Sequence, residues 1–185
     1  MKSILTNPPE AEPVSLSQAK AHLRIDHDAE DALVTALIAA ARRHVEAMTG
    51  LALITQGWSF FADDWPANGI FALPLHPLIA VEELKVHGEE GDPAIVDPSH
   101  YYVDRWERPA RLILRERSWM RPARIANGIE IEATLGFGDA ADDVPDDLRE
   151  AMLRLVAHWH ERRGDEQSRP LGFDALVAPY RAVRL

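Results

Sequence analysis

The chain has 185 residues, 46% of them hydrophobic and 27% charged, which suits one globular domain with a real core, or such a domain with extended arms. It contains no cysteine, which excludes disulfides, thiolate metal sites and a cysteine nucleophile. Its net charge of −10 argues against a free-standing nucleic-acid reader, which usually carries the opposite sign.

Residues 1–14 hold Pro8, Pro9 and Pro13 and little hydrophobic pattern, so they read as an extended arm. The opening lacks an apolar core and a cleavage-like site, so no signal peptide is expected. Ser15 offers an N-cap, and Leu16, Ala19 and Leu23 make a short helical stripe, broken at Asp26-His27-Asp28. Asp28 then caps a long amphipathic helix over residues 29–49, with Asp31 in a capping-box-like position. Its apolar stripe runs through Leu33, Leu37, Ile38, Ala41, Val45 and Met48, and Gly50 is a natural terminator.

The middle of the chain changes character. Segments 55–61, 70–73, 81–86, 101–104, 111–115 and 129–135 are rich in β-branched and aromatic residues and are separated by Pro, Gly and Asp. They predict hairpins making a small antiparallel sheet. Pro145 then opens a late helix over residues 146–163, with Asp146 and Asp147 where the helix dipole favours negative charge. Leu148, Met152, Leu155, Val156 and Trp159 form its apolar face. Gly164 closes it, and a tail follows that is too short to build a core of its own. The expected fold is therefore α+β, with an N-terminal arm at 1–14 and one domain over 15–164. Within that domain, helical parts at 15–50 and 145–164 flank a β-rich insertion of about 52–136. A docking tail occupies 165–185.

The search for chemistry turns up little. Leu135-Gly136-Phe137-Gly138 lacks the third glycine and the Lys-Ser/Thr of a phosphate loop, and reads as a turn after a strand. His158 and His160 stand two apart, so on a helix they point about 200° away from each other and do not share a metal. The aspartates at 142, 143, 146 and 147 match no calcium loop, and helix capping accounts for most of them. No serine lies in a nucleophile elbow. Trp58, Trp65, Trp106, Trp119 and Trp159 read as core and interface anchors. No catalytic residue, cofactor or metal ligand is assigned.

Charge is unevenly spread. Residues 105–124 carry seven arginines against Glu107 and Glu116, whereas 139–147 carry five aspartates and no base. Either patch is explained by a solvated surface, and both are candidates for opposite faces of a repeated contact.

The order of local phrases says more. Leu16-Ser17-Gln18-Ala19-Lys20-Ala21-His22-Leu23-Arg24 before an acidic break resembles the opening of the phage head–tail connector family. Val45-Glu46-Ala47-Met48-Thr49-Gly50 is similar to the end of that family's long helix. Leu53-Ile54-Thr55-Gln56-Gly57-Trp58, Leu73-Pro74-Leu75-His76-Pro77-Leu78, the helix after Val144-Pro145, and the ending Pro179-Tyr180-Arg181 also resemble it. The likeness runs over about residues 14–185 and is weakest at 87–127. It rests on structural phrases, so it implies a family before it implies the role of any one residue.

The resemblance implies a structural, non-enzymatic subunit of a tailed phage or of a phage-like gene transfer agent. Such subunits form a ring, commonly of twelve copies, beneath the portal. The ring extends the DNA channel without sequence-specific binding and receives the next tail-side connector or stopper protein. An acidic wall suits passing DNA, because like charge prevents sticking. The implied location is the head–tail interface of the particle, and the bacterial cytoplasm before assembly, with no membrane role. Under this reading Pro179, Tyr180, Arg181, Arg184 and Leu185 are candidates for portal docking. Arg105, Arg108, Arg111 and Arg115 against Asp139, Asp142, Asp143, Asp146 and Asp147 are candidates for contacts between subunits. The alternative is a soluble monomeric or dimeric protein-binding adaptor, and a less favoured third reading is a hydrolase with an unrecognised site.

Overall fold

The structure is a computed structural model that describes residues 1–89, 93–115, 120–162 and 168–181. Two compact units emerge, one built from Met1–Pro9 and Thr55–Gly136, the other from Glu10–Ile54 and Phe137–Leu185.

The second unit is helical. Helix α1 spans Leu16–Leu23, and Ser15 caps it with a full capping box. Ser15 Oγ accepts the Gln18 amide at 3.1 Å, and Gln18 Oε1 accepts the Ser15 amide at 2.9 Å. Helix α2 spans Asp31–Thr49 and begins later than expected. Glu30, not Asp28, stands at its N-cap, with no side-chain cap bond. The Asp28 carboxylate is taken by Lys20 Nζ at 2.7 Å, and the same ammonium reaches Asp31 at 2.7 Å. A charge-assisted bond to an ammonium outcompetes a neutral backbone amide. Gly50 ends α2 as expected, in a left-handed conformation at φ 72°.

Helix α3 spans Asp146–Glu161 after Pro145 and buries Leu148, Ala151, Met152, Leu155, Val156 and Trp159. It packs on α2, whose buried face is Val34, Ile38, Ala41 and Val45. Leu51, Leu53 and Ile54 complete this core, together with Phe173 and Val177 from a short helix α4 at Phe173–Val177. Among the described residues, no helix is long and apolar enough to cross a membrane.

His44 lies on α2 inside this unit. Its ring meets Trp159 edge-on at 5.5 Å between centroids and lies 6.0 Å from Phe173, and its Nε2 is buried without a hydrogen-bond partner among the described residues. Burial, and then the charge of Arg169, hold its pKa below the ordinary 6.5. Burial and Arg108 act in the same direction on His76 in the other unit. Above the ordinary value both histidines are neutral folded and unfolded. As pH falls through it, the unfolded chain takes up protons that the folded chain resists, so stability drops until the lower folded values are reached. Denaturant unfolding should therefore show less stability near pH 5 than near pH 7. His44→Leu should flatten part of that slope and leave the part owed to His76.

The first unit holds the strands. They are β1 (Lys2–Asn7), β2 (Gln56–Ala62), β3 (Ile70–Ala72), β4 (Leu78–Val86), β5 (Ala94–Ile95), β6 (Tyr101–Asp104), β7 (Arg111–Leu114) and β8 (Ile129–Leu135). The expected antiparallel sheet is present, divided in two. One sheet runs β1-β2-β8-β4-β5 and the other β3-β7-β6. In β8 the buried residues Ile129, Ile131, Ala133 and Leu135 alternate with half-buried ones, so this strand sits at the centre of its sheet. It draws β2 and β4 to its two sides from far along the chain. The shorter β3, β6 and β7 pair among themselves.

Residues 2–7, read from sequence as part of an extended arm, are extended and pair along β2 as strand β1. All six side chains of β1 are exposed. No burial alternation marks it, which explains why the sequence pattern does not show it as a strand.

Candidate assembly surfaces

The arginine-rich stretch belongs to the β unit. Arg111 opens β7 and reaches back across the hairpin to Asp104 at 2.6 Å, with Glu107 at 3.5 Å. Arg111 thereby holds the Asp104 carboxyl below its ordinary range. Arg111 is thus committed inside its own hairpin, and its Nε is buried without a partner. Arg115 is exposed and reaches the Tyr101 carbonyl at a long 3.5 Å. Arg105 and Arg108 are exposed in the β6–β7 loop beside Trp106, which is 88% exposed. This exposed loop, with two arginines and a tryptophan, is a candidate contact surface. From sequence Trp106 was indistinguishable from Trp159, which is buried in the helical core. Trp119, Arg117 and Glu116 lie outside the described residues.

The acidic stretch belongs to the helical unit. Asp139, Asp142, Asp143, Asp146 and Asp147 are all exposed. Two of them have a local partner, since Arg149 bridges Asp142 at 2.8 Å and also bonds Asp146. Asp143 turns back on its own loop and accepts the Ala140 amide at 2.9 Å. Its carboxylate lies where a side chain on Gly138 would stand, 2.2 Å from the position of an added Cβ, so a residue with a side chain does not fit there. This accounts for the second glycine of the Leu135–Gly138 turn. Asp139 and Asp147 have no described ion-pair partner within this unit, which leaves them the most available of the five.

The tail candidates separate in the same way. Pro179 is exposed, while Tyr180 is half-buried against the helical core. Arg181 bonds Asp174 at 2.5 Å, and Arg169 joins the same carboxylate oxygen at 2.8 Å. Arg184 and Leu185 lie outside the described residues. The histidines of α3 go separate ways, His158 to Ser168 Oγ at 2.6 Å and His160 to Glu30 at 3.2 Å.

Residues 13–104 match the family model of the phage gp6-like head-tail connector protein. No curated protein matches the chain. Among solved structures, a chain in the neck of an empty GTA particle computed with C6 symmetry is 24% identical at a TM-score of 0.85, covering 100% of this chain and 97% of that one. Chains in the virion of the native gene transfer agent (GTA) particle and in the neck of the native GTA particle computed with C12 symmetry give a TM-score of 0.84 at 24% identity and the same coverage. At that identity these likenesses speak for the fold, over the whole length of the chain.

Proposed function

We propose that this chain, which belongs to the phage gp6-like head–tail connector family, is a structural subunit that forms a ring below the portal of a tailed-phage or gene-transfer-agent particle. The observation that carries the reading is the family match over residues 13–104. The full-length likeness to chains in particle necks supports it. In this reading the subunit joins head to tail, extends the DNA channel, carries no enzymatic activity, and waits in the bacterial cytoplasm before assembly.

A closed ring uses heterologous contacts, in which one surface meets a different surface of the next copy. Arg105, Arg108 and Trp106 on one unit, and Asp139 and Asp147 on the other, supply two unlike faces of opposite charge. Arg111, Asp142 and Asp146 contribute less, because each already has a partner within its own chain. Portal docking falls to exposed Pro179 and to Arg184 and Leu185, which lie outside the described residues, because Tyr180 is half-buried on its own unit and Arg181 is held by Asp174. The net charge of −10 suits a channel wall that lets DNA pass.

The test is electron microscopy of the purified chain mixed with the portal of its own particle. A ring on the tail-side face of the portal, lost when residues 179–185 are removed, is the expected result. A chain that stays monomeric or dimeric and leaves the portal bare would overturn the connector reading in favour of the soluble adaptor.

A further inference from the structure

We infer that the five-stranded sheet continues from one copy to the next, the outer edge of β1 pairing with the outer edge of β4 in a second copy of this chain. The inference rests on the ring reading above and names the backbone contact that would close the ring.

Among the described residues, β1 has no outer neighbour and β4 has one over only part of its length. At one end, β1 pairs with β2 on its inner side and with nothing described on its outer side. Its six side chains are all exposed, with Ile4 at 56% and Leu5 at 40%. Neighbouring residues of a strand point to opposite faces, so these two put apolar surface on both sides of the edge. Edge strands are ordinarily blunted by charge, proline or a bulge. Here Lys2 and the irregularity between Leu5 and Asn7 bracket a stretch, Ser3-Ile4-Leu5, that has none of these.

At the other end, β5 and the Val96 amide that follows it cover Leu84, Lys85 and Val86 of β4 and leave the preceding residues of β4 without a described outer neighbour. That stretch includes Ile79, exposed at 37%. Bulges at Ile79 and Glu82 narrow the receiving segment to Ala80-Val81 and its flanks, which limits the registers open to an incoming strand.

The occupant follows from charge and direction. Lys2 starts the donor edge, whereas the receiving strand carries Glu82, exposed and without a described ion-pair partner, beside Glu83, which Lys85 bridges at 2.9 Å, so Glu82 is the charge that complements Lys2. All pairings between β1 and β4 are antiparallel, through β2 and β8, so β1 and β4 run in opposite directions. Rotation about a ring axis along the strands preserves direction. It therefore brings β1 of one copy antiparallel to β4 of the next, the same pairing used throughout the sheet. A two-fold dimer would instead set like edges together, β1 on β1.

The absence of cysteine allows a clean test by disulfide trapping. Within one chain β1 and β4 are three strand spacings apart, roughly 14 Å. A disulfide tolerates only about 7 Å between Cα atoms, so a bond between these strands must join two copies. Rings on the portal would be prepared from the full chain carrying a cysteine at Ser3, Ile4 or Leu5 together with one at Ala80, Val81 or Glu83, then oxidised. At least one pair should give a reducible ladder of covalent multimers reaching a complete ring. Ile4→Pro should lower ring occupancy about tenfold. It should leave the thermal transition in place, because β1 buries no side chain. Normal rings from Ile4→Pro with no ladder from any pair would overturn the inference while leaving the connector reading intact. Dimers from Ile4→Cys alone would overturn it in favour of β1–β1 pairing. A bare portal with the unsubstituted chain would remove the connector reading itself.

Discussion

Phe173→Ala should destabilise the helical unit by about 3–5 kcal/mol. The ring is fully buried, opens the five-residue helix α4, and sits in the core with Val177 against α2 and α3. Removing it leaves a cavity beside His44, which the packed faces of two long helices can fill only in part. For a chain of this size the melting temperature should fall by about 10 °C. Leu171→Ala, two residues earlier at a side chain 98% exposed, should stay within about 0.5 kcal/mol. The pair of measurements separates two roles for the tail. A large loss from Phe173→Ala with none from Leu171→Ala means that the segment up to Val177 is an integral part of the core of its own unit. A loss below about 1 kcal/mol would mean that this segment is not held on its own unit in solution.

What could be read from the sequence follows the physics of burial. Helix α2 was legible because Ile38, Ala41 and Val45 recur at helical spacing and Gly50 stops it. Of the strands described between residues 55 and 135, all but the two-residue β5 were legible as β-branched runs between turn residues. Their division into two sheets was not, because β8 gathers partners that lie 43 (Val86 to Ile129) to 79 (Gln56 to Leu135) residues away, and nothing local encodes that choice. Strand β1 escaped because it buries no face, and α4 escaped because five residues carry no helical period. The family resemblance was legible because it lies in structural phrases, and the family model that matches begins at residue 13, where those phrases begin. The candidate surfaces were legible as charge but not as availability. Arg111 with Asp104, and Arg149 with Asp142, are pairings created by a hairpin and by a helix start, while Trp106 differs from Trp159 only in where the fold puts it.

Arg42→Ala should cost about 2–4 kcal/mol, although no sequence pattern singles this arginine out. Its side chain is 10% exposed and binds two carboxylates, Glu12 at 2.8 Å and Glu46 at 2.9 Å. Glu46 is itself 14% exposed, and its second oxygen accepts the Leu53 amide at 3.0 Å. The cluster therefore ties the chain entering the helical unit, the body of α2 and the segment after Gly50 to one guanidinium. Removing the arginine leaves a nearly buried carboxylate facing another negative group, which is worse than losing a surface pair. Arg42→Met tests the charge apart from the packing, because it keeps the apolar stem. It should recover little alone, and more when combined with Glu46→Gln, whose amide oxygen still accepts from Leu53. A double-mutant cycle on Arg42 and Glu46, read by denaturant unfolding at low and high salt, should give a coupling above about 1 kcal/mol that salt barely reduces. A coupling near zero, or one erased by salt, would place the cluster in solvent and leave the apolar core to organise this unit unaided. With the coupling in place, the helical unit comes to any assembly already set.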